Sequence, residues 1–264
     1  MPSDELSFWD HLDELRKILF RSLAVLALLS VGFFLLMPSI FDTVIMGPCF
    51  GSFITYRWFN FVASIMHTVS LFSDTAYTVN IINIELITPF MVHIQTSFTL
   101  AILLAFPYLL FEIWRFIRPA LYEKERKSIS STFVLGAFLF YCGVAMSYLF
   151  IFPVTLRFLA GYQVSKLVAN QLSLQSYMST FTNLNLVMGL TFELPMLAMI
   201  LSKLGLITRS FFRKWRRHAI VVLVFIAAVI TPTGDPFTLT LVSIPLYLLY
   251  EISALLVKDD RKPK

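Results

Sequence analysis

"YMSTFTNLNLVMGLTFELPMLAMIL", residues 177–201, holds a single charge, Glu193, in an otherwise apolar run. At about 1.5 Å of helical rise per residue, the stretch is long enough to cross the roughly 30 Å hydrocarbon core of a bilayer. A carboxylate at the centre of a membrane costs about 2.5–3.5 kcal/mol on insertion scales, so its presence needs a reason. Helical spacing gives Glu193 company. Thr182, Asn185 and Gly189 precede it at intervals of three and four residues, which stacks all four on one face. Pro195, lacking an amide hydrogen, leaves the Thr191 carbonyl without its helical donor and predicts a kink. Two readings of Glu193 stay open here. One is a protonated side chain bonding a neighbouring helix as packing glue. The other is a functional site, the usual meaning of an ionisable residue inside a membrane.

The rest of the chain agrees with a membrane setting. Of 264 residues, 58% are hydrophobic and 14% charged, and the mean hydropathy is +0.77. Soluble domains carry about 25% charged residues, so most of this surface faces something other than water. The 27 phenylalanines suit lipid-facing and interfacial packing. Cys49 and Cys142 read as isolated thiols rather than a disulfide. His11, His67, His93 and His218 show no paired metal spacing, and HExxH, GxSxG and phosphate-loop patterns are missing. Neither a metal, a cofactor, an enzymatic reaction nor a nucleic-acid partner is expected. The start, "MPSDELSFWDHLDELRK", is acidic and amphipathic, unlike a secretory signal, so the first apolar segment is expected to stay in the membrane.

Six spans are expected in a single polytopic domain covering residues 1–264: Ile18–Met37, Phe90–Phe111, Thr132–Phe152, Tyr177–Leu201, His218–Thr231 and Phe237–Val257. The fifth is short and Pro245 interrupts the sixth, so both call for local thinning of the bilayer. Arg115, Arg118, Lys124, Arg126 and Lys127 follow span two; Lys203, Arg209, Arg213, Lys214, Arg216 and Arg217 follow span four. Arg16, Lys17, Lys258, Arg261, Lys262 and Lys264 lie in the tails, against only Arg57, Arg157 and Lys166 on the other side. The excess of positive charge puts both termini in the cytoplasm. Arg21, one turn into span one, can snorkel to that surface. The external stretch Trp58–Phe72 could pass for a seventh span. Its apolar residues Trp58, Phe61, Val62, Ile65, Met66 and Val69 instead form one helical stripe, with Asn60, Ser64, His67 and Thr68 elsewhere. That pattern predicts a helix lying at an interface or against the spans.

Two further constellations have ordinary alternatives. Around residues 7–17, Ser7 and Asp10 resemble a capping box, and Phe8, Leu12, Leu15 and Leu19 form an apolar stripe into span one. Asp13 and Glu14 are consistent with a merely solvated interfacial helix paired to Lys17. "FEIWRFIRPALYEKERKS", Phe111–Ser128, sets Glu123 and Glu125 among basic residues and aromatic anchors, which also describes an ordinary positive-inside loop.

Taken together, "HLDELRK" (11–17), "WRFIRPALYEKER" (114–126), "FELP" (192–195) and "TPTGDP" (231–236) resemble the TatC family, the large membrane subunit of the twin-arginine (Sec-independent) protein translocase. The resemblance implies an all-α, six-span concave bundle in the bacterial cytoplasmic (inner) membrane. It implies a receptor for the twin-arginine signal peptides of folded cargo, exported by the proton motive force. By motif correspondence Glu14 and Glu125 form the acidic receptor, with Phe116, Arg126 and Arg16 in the same patch. A guanidinium pairs bidentately with a carboxylate in a way an ammonium cannot match. Glu193, with Asn185, Thr182 and Pro195, is implied to receive single-span TatA/TatB-type partners, and Asp235 and Pro48 to stand in external turns. Self-association in a receptor complex is also implied. The chain departs from the pattern at Leu239, where some members carry Gln, and around residues 50–75. The alternative reading is a proton-coupled small-solute transporter using Glu193.

Overall fold

The structure, a computed structural model, describes residues 8–66, 77–120, 123–165, 167, 170–231 and 234–257; for residues 8–11, 120 and 123–128 it describes the backbone alone. Nine α-helices carry the described chain: α1 (Phe8–Ile40), α2 (Ile54–Ile65), α3 (Thr88–Ile117), α4 (Glu123–Met146), α5 (Phe152–Gly161), α6 (Leu174–Thr191), α7 (Leu194–Lys203), α8 (Arg209–Ile230) and α9 (Pro236–Leu256). Two-residue strands β1 (Ile81–Ile82) and β2 (Leu172–Ser173) pair in parallel between loops. The all-α membrane class holds.

Apolar runs mark where a helix meets lipid, not where it ends. Accordingly the first three expected spans lie inside longer helical runs. No breaker separates residues 8–17 from the first span, and α1 carries both as one helix of 33 residues. The helix that carries the third span begins at Glu123 and continues from α4 through a π turn, Ser147–Ile151, into α5. Pro245 does not interrupt α9, which runs through it. The fourth span is broken rather than kinked. Its helix stops at Thr191, turns at Phe192–Glu193 and restarts as α7 with Pro195 in the first turn, where a missing amide hydrogen costs least. Among the described residues five helical runs are long and apolar enough to cross a membrane: Leu12–Cys49, Thr88–Ile117, Ile129–Gly161, Leu174–Lys203 and Pro236–Leu256. The expected fifth span falls in α8, whose first turns hold Arg213, Lys214, Arg216 and Arg217 and dilute its apolar character.

Helix α4 is the pivot of the bundle. Its Gly143 faces α6 so closely that an added Cβ would stand 2.6 Å from the Met188 carbonyl oxygen. Phe140, fully buried, stacks on Phe106 of α3 with ring centroids 3.5 Å apart. One core gathers Phe106, Leu110, Trp114, Ile129, Phe133, Phe140 and Met196. A larger one gathers residues such as Ile45, Leu184, Met188, Ala227, Val242 and Leu246. Helices α8 and α9 are tied by Tyr250, whose hydroxyl donates to the Phe212 carbonyl at 2.7 Å, and by the Arg216–Glu251 ion pair.

Carbonyls released by prolines and π turns serve as fastening points elsewhere. Pro38 frees the Phe34 carbonyl, and His93 Nε2 of α3 lies 2.9 Å from it with its ring stacked on Phe34. At the π turn Phe41–Ile45, Tyr148 donates to the Val44 carbonyl and Tyr177 to that of Ile45. Pro153 frees the Leu149 carbonyl, which accepts from Thr55 of α2. Tyr56 Oη lies 3.0 Å from both the Pro48 and Pro153 carbonyls. Burial raises the Tyr56 pKa, with Tyr77 adding to the rise and Arg157 opposing it, so the phenol stays a donor. The Arg157 guanidinium covers the Tyr77 ring at 4.2 Å and that of Tyr56 at 5.1 Å.

Candidate functional site

Glu193 occupies the cap position before α7, 5% exposed, and neither carboxylate oxygen has a hydrogen-bond partner. Buried polar groups are paired in the great majority of cases. The carboxylate fits because α4 offers it a glycine: a Cβ added at Gly136 would stand 2.8 Å from Glu193 Oε2 and would overlap the Met196 sulfur. The break at Phe192–Glu193 therefore aims Glu193 at α4.

The polar stripe on α6 is buried as the spacing implies. Thr182 is 4% and Asn185 1% exposed. Asn185 Nδ2 donates to the Phe181 carbonyl at 2.7 Å, which leaves its Oδ1 and the Thr182 hydroxyl without partners. Gly189 lies against Phe140 and Val144 of α4, so it and Glu193 turn to the same neighbour. Pro195 is buried in α7. Near the opposite end, Pro48 sits buried in a short 3-10 turn, and the Asp235 carboxylate caps α9 by accepting from the Thr238 amide at 2.7 Å.

The second group of predicted residues lies at one end of the bundle. Helices α1 and α3 run antiparallel and meet at Phe34 and His93. Counting away from that contact, Glu14 lies about 30 Å along α1 and Phe116 about 35 Å along α3, at 1.5 Å per residue. Both therefore reach the same end. Glu14 is half-buried; Arg16 is exposed, its guanidinium 5.7 Å from the Phe20 ring centroid. Phe116 is half-buried in the last turn of α3, and the short turn Arg118–Ala120 leads on toward α4, whose first turn carries Glu125 and Arg126. The side chains of Glu125 and Arg126 lie outside the described residues.

One carboxylate was missed. Glu112 on α3 is 3% exposed; Tyr108 donates to its Oε1 at 2.8 Å, and Oε2 has no partner. By the same count it lies level with Glu14 on the adjacent helix. The signal was available: Glu112 interrupts an apolar run as Glu193 does, with Tyr108 one helical turn before it.

These features define a polytopic α-helical membrane protein that buries Glu193 with neither oxygen partnered and Glu112 with one oxygen unpartnered. A family model described as Sec-independent protein translocase protein (TatC) matches residues 10–245. The Sec-independent protein translocase protein TatC of Blattabacterium sp. subsp. Periplaneta americana is 34% identical over 251 residues, 95% of this chain and 94% of the relative. That of Helicobacter pylori is 34% identical over 248 residues, 94% of this chain and 86% of the relative. A crystal structure of the twin arginine translocase receptor TatC in DDM has 30% identity and a TM-score of 0.75, covering 94% of this chain and 99% of that one. The chain belongs to the TatC family and is a membrane component of a protein translocase.

Proposed function

We propose that this chain is the receptor and core scaffold of a twin-arginine translocase in a bacterial cytoplasmic membrane. Six helices span the bilayer with both termini in the cytoplasm, α8 being the short fifth span and α9 the sixth. Twin-arginine signal peptides bind at the cytoplasmic end, on Glu14 and Glu125 with Phe116, Arg126 and Arg16 around them, and the level position of Glu112 adds a third carboxylate. Single-span TatA/TatB-type partners are recruited at Glu193 with Thr182, Asn185 and Pro195, and the proton motive force drives export. The receptor complex holds further copies of this chain.

The unpaired Glu193 carboxylate carries the recruitment reading. A partner helix bearing one polar group in its apolar stretch supplies the missing hydrogen bond, so burial that is costly in the free chain favours association. The receptor reading draws its support from the relatedness and from the shared end of α1 and α3. Photocross-linking of a partner helix to positions beside Glu193, in membranes holding both subunits, tests recruitment. Equal yields from the native chain and Glu193→Leu would remove Glu193 from the contact. Reconstituted vesicles separate this reading from the solute carrier, since a carrier moves solute with no partner present.

A further inference from the structure

Helix α2 has three sides, and only two of them have an evident environment. One side is fastened to the bundle: Thr55 and Tyr56 are buried, bonded to the carbonyls of Leu149 and of Pro48 and Pro153. A second side carries Arg57 and Ser64, both exposed and suited to water or headgroups. The third carries Ile54, Trp58, Phe61 and Ile65, each at least 50% exposed, and Met66 follows at 65%. At 100° per residue Ile54, Trp58, Phe61 and Ile65 fall within about one quarter of the helix circumference, and Met66 lies beyond the end of α2. An isolated exposed Leu means little, but a contiguous face of large side chains marks an interaction surface.

We infer that this face is embedded in the lipid leaflet at the α2 end of the bundle, as a wedge held at the level where the third span leaves the hydrocarbon. Two observations select lipid as the occupant. The face is continuous with a lipid-facing surface, because the Trp58 ring packs edge-on against Phe150 at 5.8 Å, and α4 below presents exposed Val134 and Phe138. Its depth is also fixed. About 20 helical residues cross the hydrocarbon, and counted from Thr132, where the apolar run of the sequence sets the start of the third span, they end near Phe152. Leu149 and Pro153, to which α2 is fastened, bracket that boundary. Trp at the boundary and Arg57 beside it, free to reach phosphates, match the chemistry of an interfacial helix. The placement relies on the membrane class and on the start of the third span, and in the proposed topology the leaflet is the outer one.

The test uses the full chain with Cys142→Ser and one environment-sensitive fluorophore, placed at Phe61→Cys or, on the polar side, at Ser64→Cys. Each is reconstituted alone into phosphatidylcholine–phosphatidylglycerol vesicles containing lipids with nitroxides at shallow or deep acyl positions. At position 61 shallow nitroxides should quench at least threefold more than deep ones, and aqueous iodide should quench little. At position 64 iodide should dominate. Equal iodide quenching at both positions would overturn the proposal. So would protection of position 61 that appears only in native membranes holding partner subunits, which would assign the face to a protein. A matched melting transition for both labelled variants excludes local unfolding as the cause.

Discussion

Glu193 illustrates how a single residue's cost becomes informative. Its two oxygens are buried without a donor, Oε2 against Gly136, and the break before α7 turns the side chain toward α4. Glutamine keeps the shape and the hydrogen-bonding capacity while losing the titratable proton, and leucine loses both. Glu193→Gln is therefore expected to retain most partner cross-linking and Glu193→Leu to lose it, with signal-peptide binding unchanged in both. If Gln is as inactive as Leu, proton chemistry at Glu193 becomes the better account. Gly136→Ala is a second probe of the same spot. The new methyl collides with Met196 and crowds Glu193, and overpacking of this kind costs about 1–3 kcal/mol. A lower melting temperature in detergent, with weaker partner cross-linking, is the expected result; an unchanged melt would show that Met196 swings aside freely.

At the scale of helices, proline positions were legible in the sequence but their consequences were not. Pro195 predicts an irregularity, yet whether it kinks or breaks the helix depends on how α4 receives Glu193. Pro38 and Pro153 announce a freed carbonyl four residues earlier, but the donors, His93 and Thr55, come from distant segments. Hydropathy found the spans and missed their ends; the third began too late because residues 123–127, EKERK, are good helix formers without being apolar. The stripe on α2 was visible as a pattern; that it faces outward is a tertiary fact. The fastening of the second span to the first suggests a double-mutant cycle. His93→Ala leaves the Phe34 carbonyl unpaired, costing about 1 kcal/mol. Pro38→Ala supplies an amide hydrogen to that same carbonyl, so His93→Ala should cost clearly less in that background. Additive losses in melting temperature would show that His93 does not serve the carbonyl Pro38 releases.

For the whole molecule the decisive question is which groups share a membrane face. Topology follows from charge: cysteines replacing Lys124 and Arg213 should be shielded from an impermeant thiol reagent in intact cells, and one at Asp235 should react. Labelling at 124 from outside would reverse the bundle. In the proposed receptor, three helices deliver carboxylates to the end assigned to the cytoplasm, Glu14 from α1, Glu112 from α3 and Glu125 from α4. The end-to-end count places Glu14 and Glu112 level, and the short turn after α3 leads on toward Glu125. Each hydrogen bond to a charged partner contributes about 1.5–3 kcal/mol, so losing one guanidinium pair should weaken binding about tenfold or more. Glu14→Ala and Glu125→Ala should each reduce cross-linking of a twin-arginine peptide, at matched protein levels. The double variant should lose less than the product of the two, if both hold the same pair of arginines. Glu112→Gln keeps an acceptor for Tyr108 but removes the negative charge, so a loss with this variant points to charge rather than packing. A twin-lysine peptide should bind poorly to the native chain, because an ammonium does not reproduce the bidentate fork. Undiminished cross-linking in the Glu14, Glu125 double variant would remove the receptor site from this end of the bundle while leaving family membership untouched.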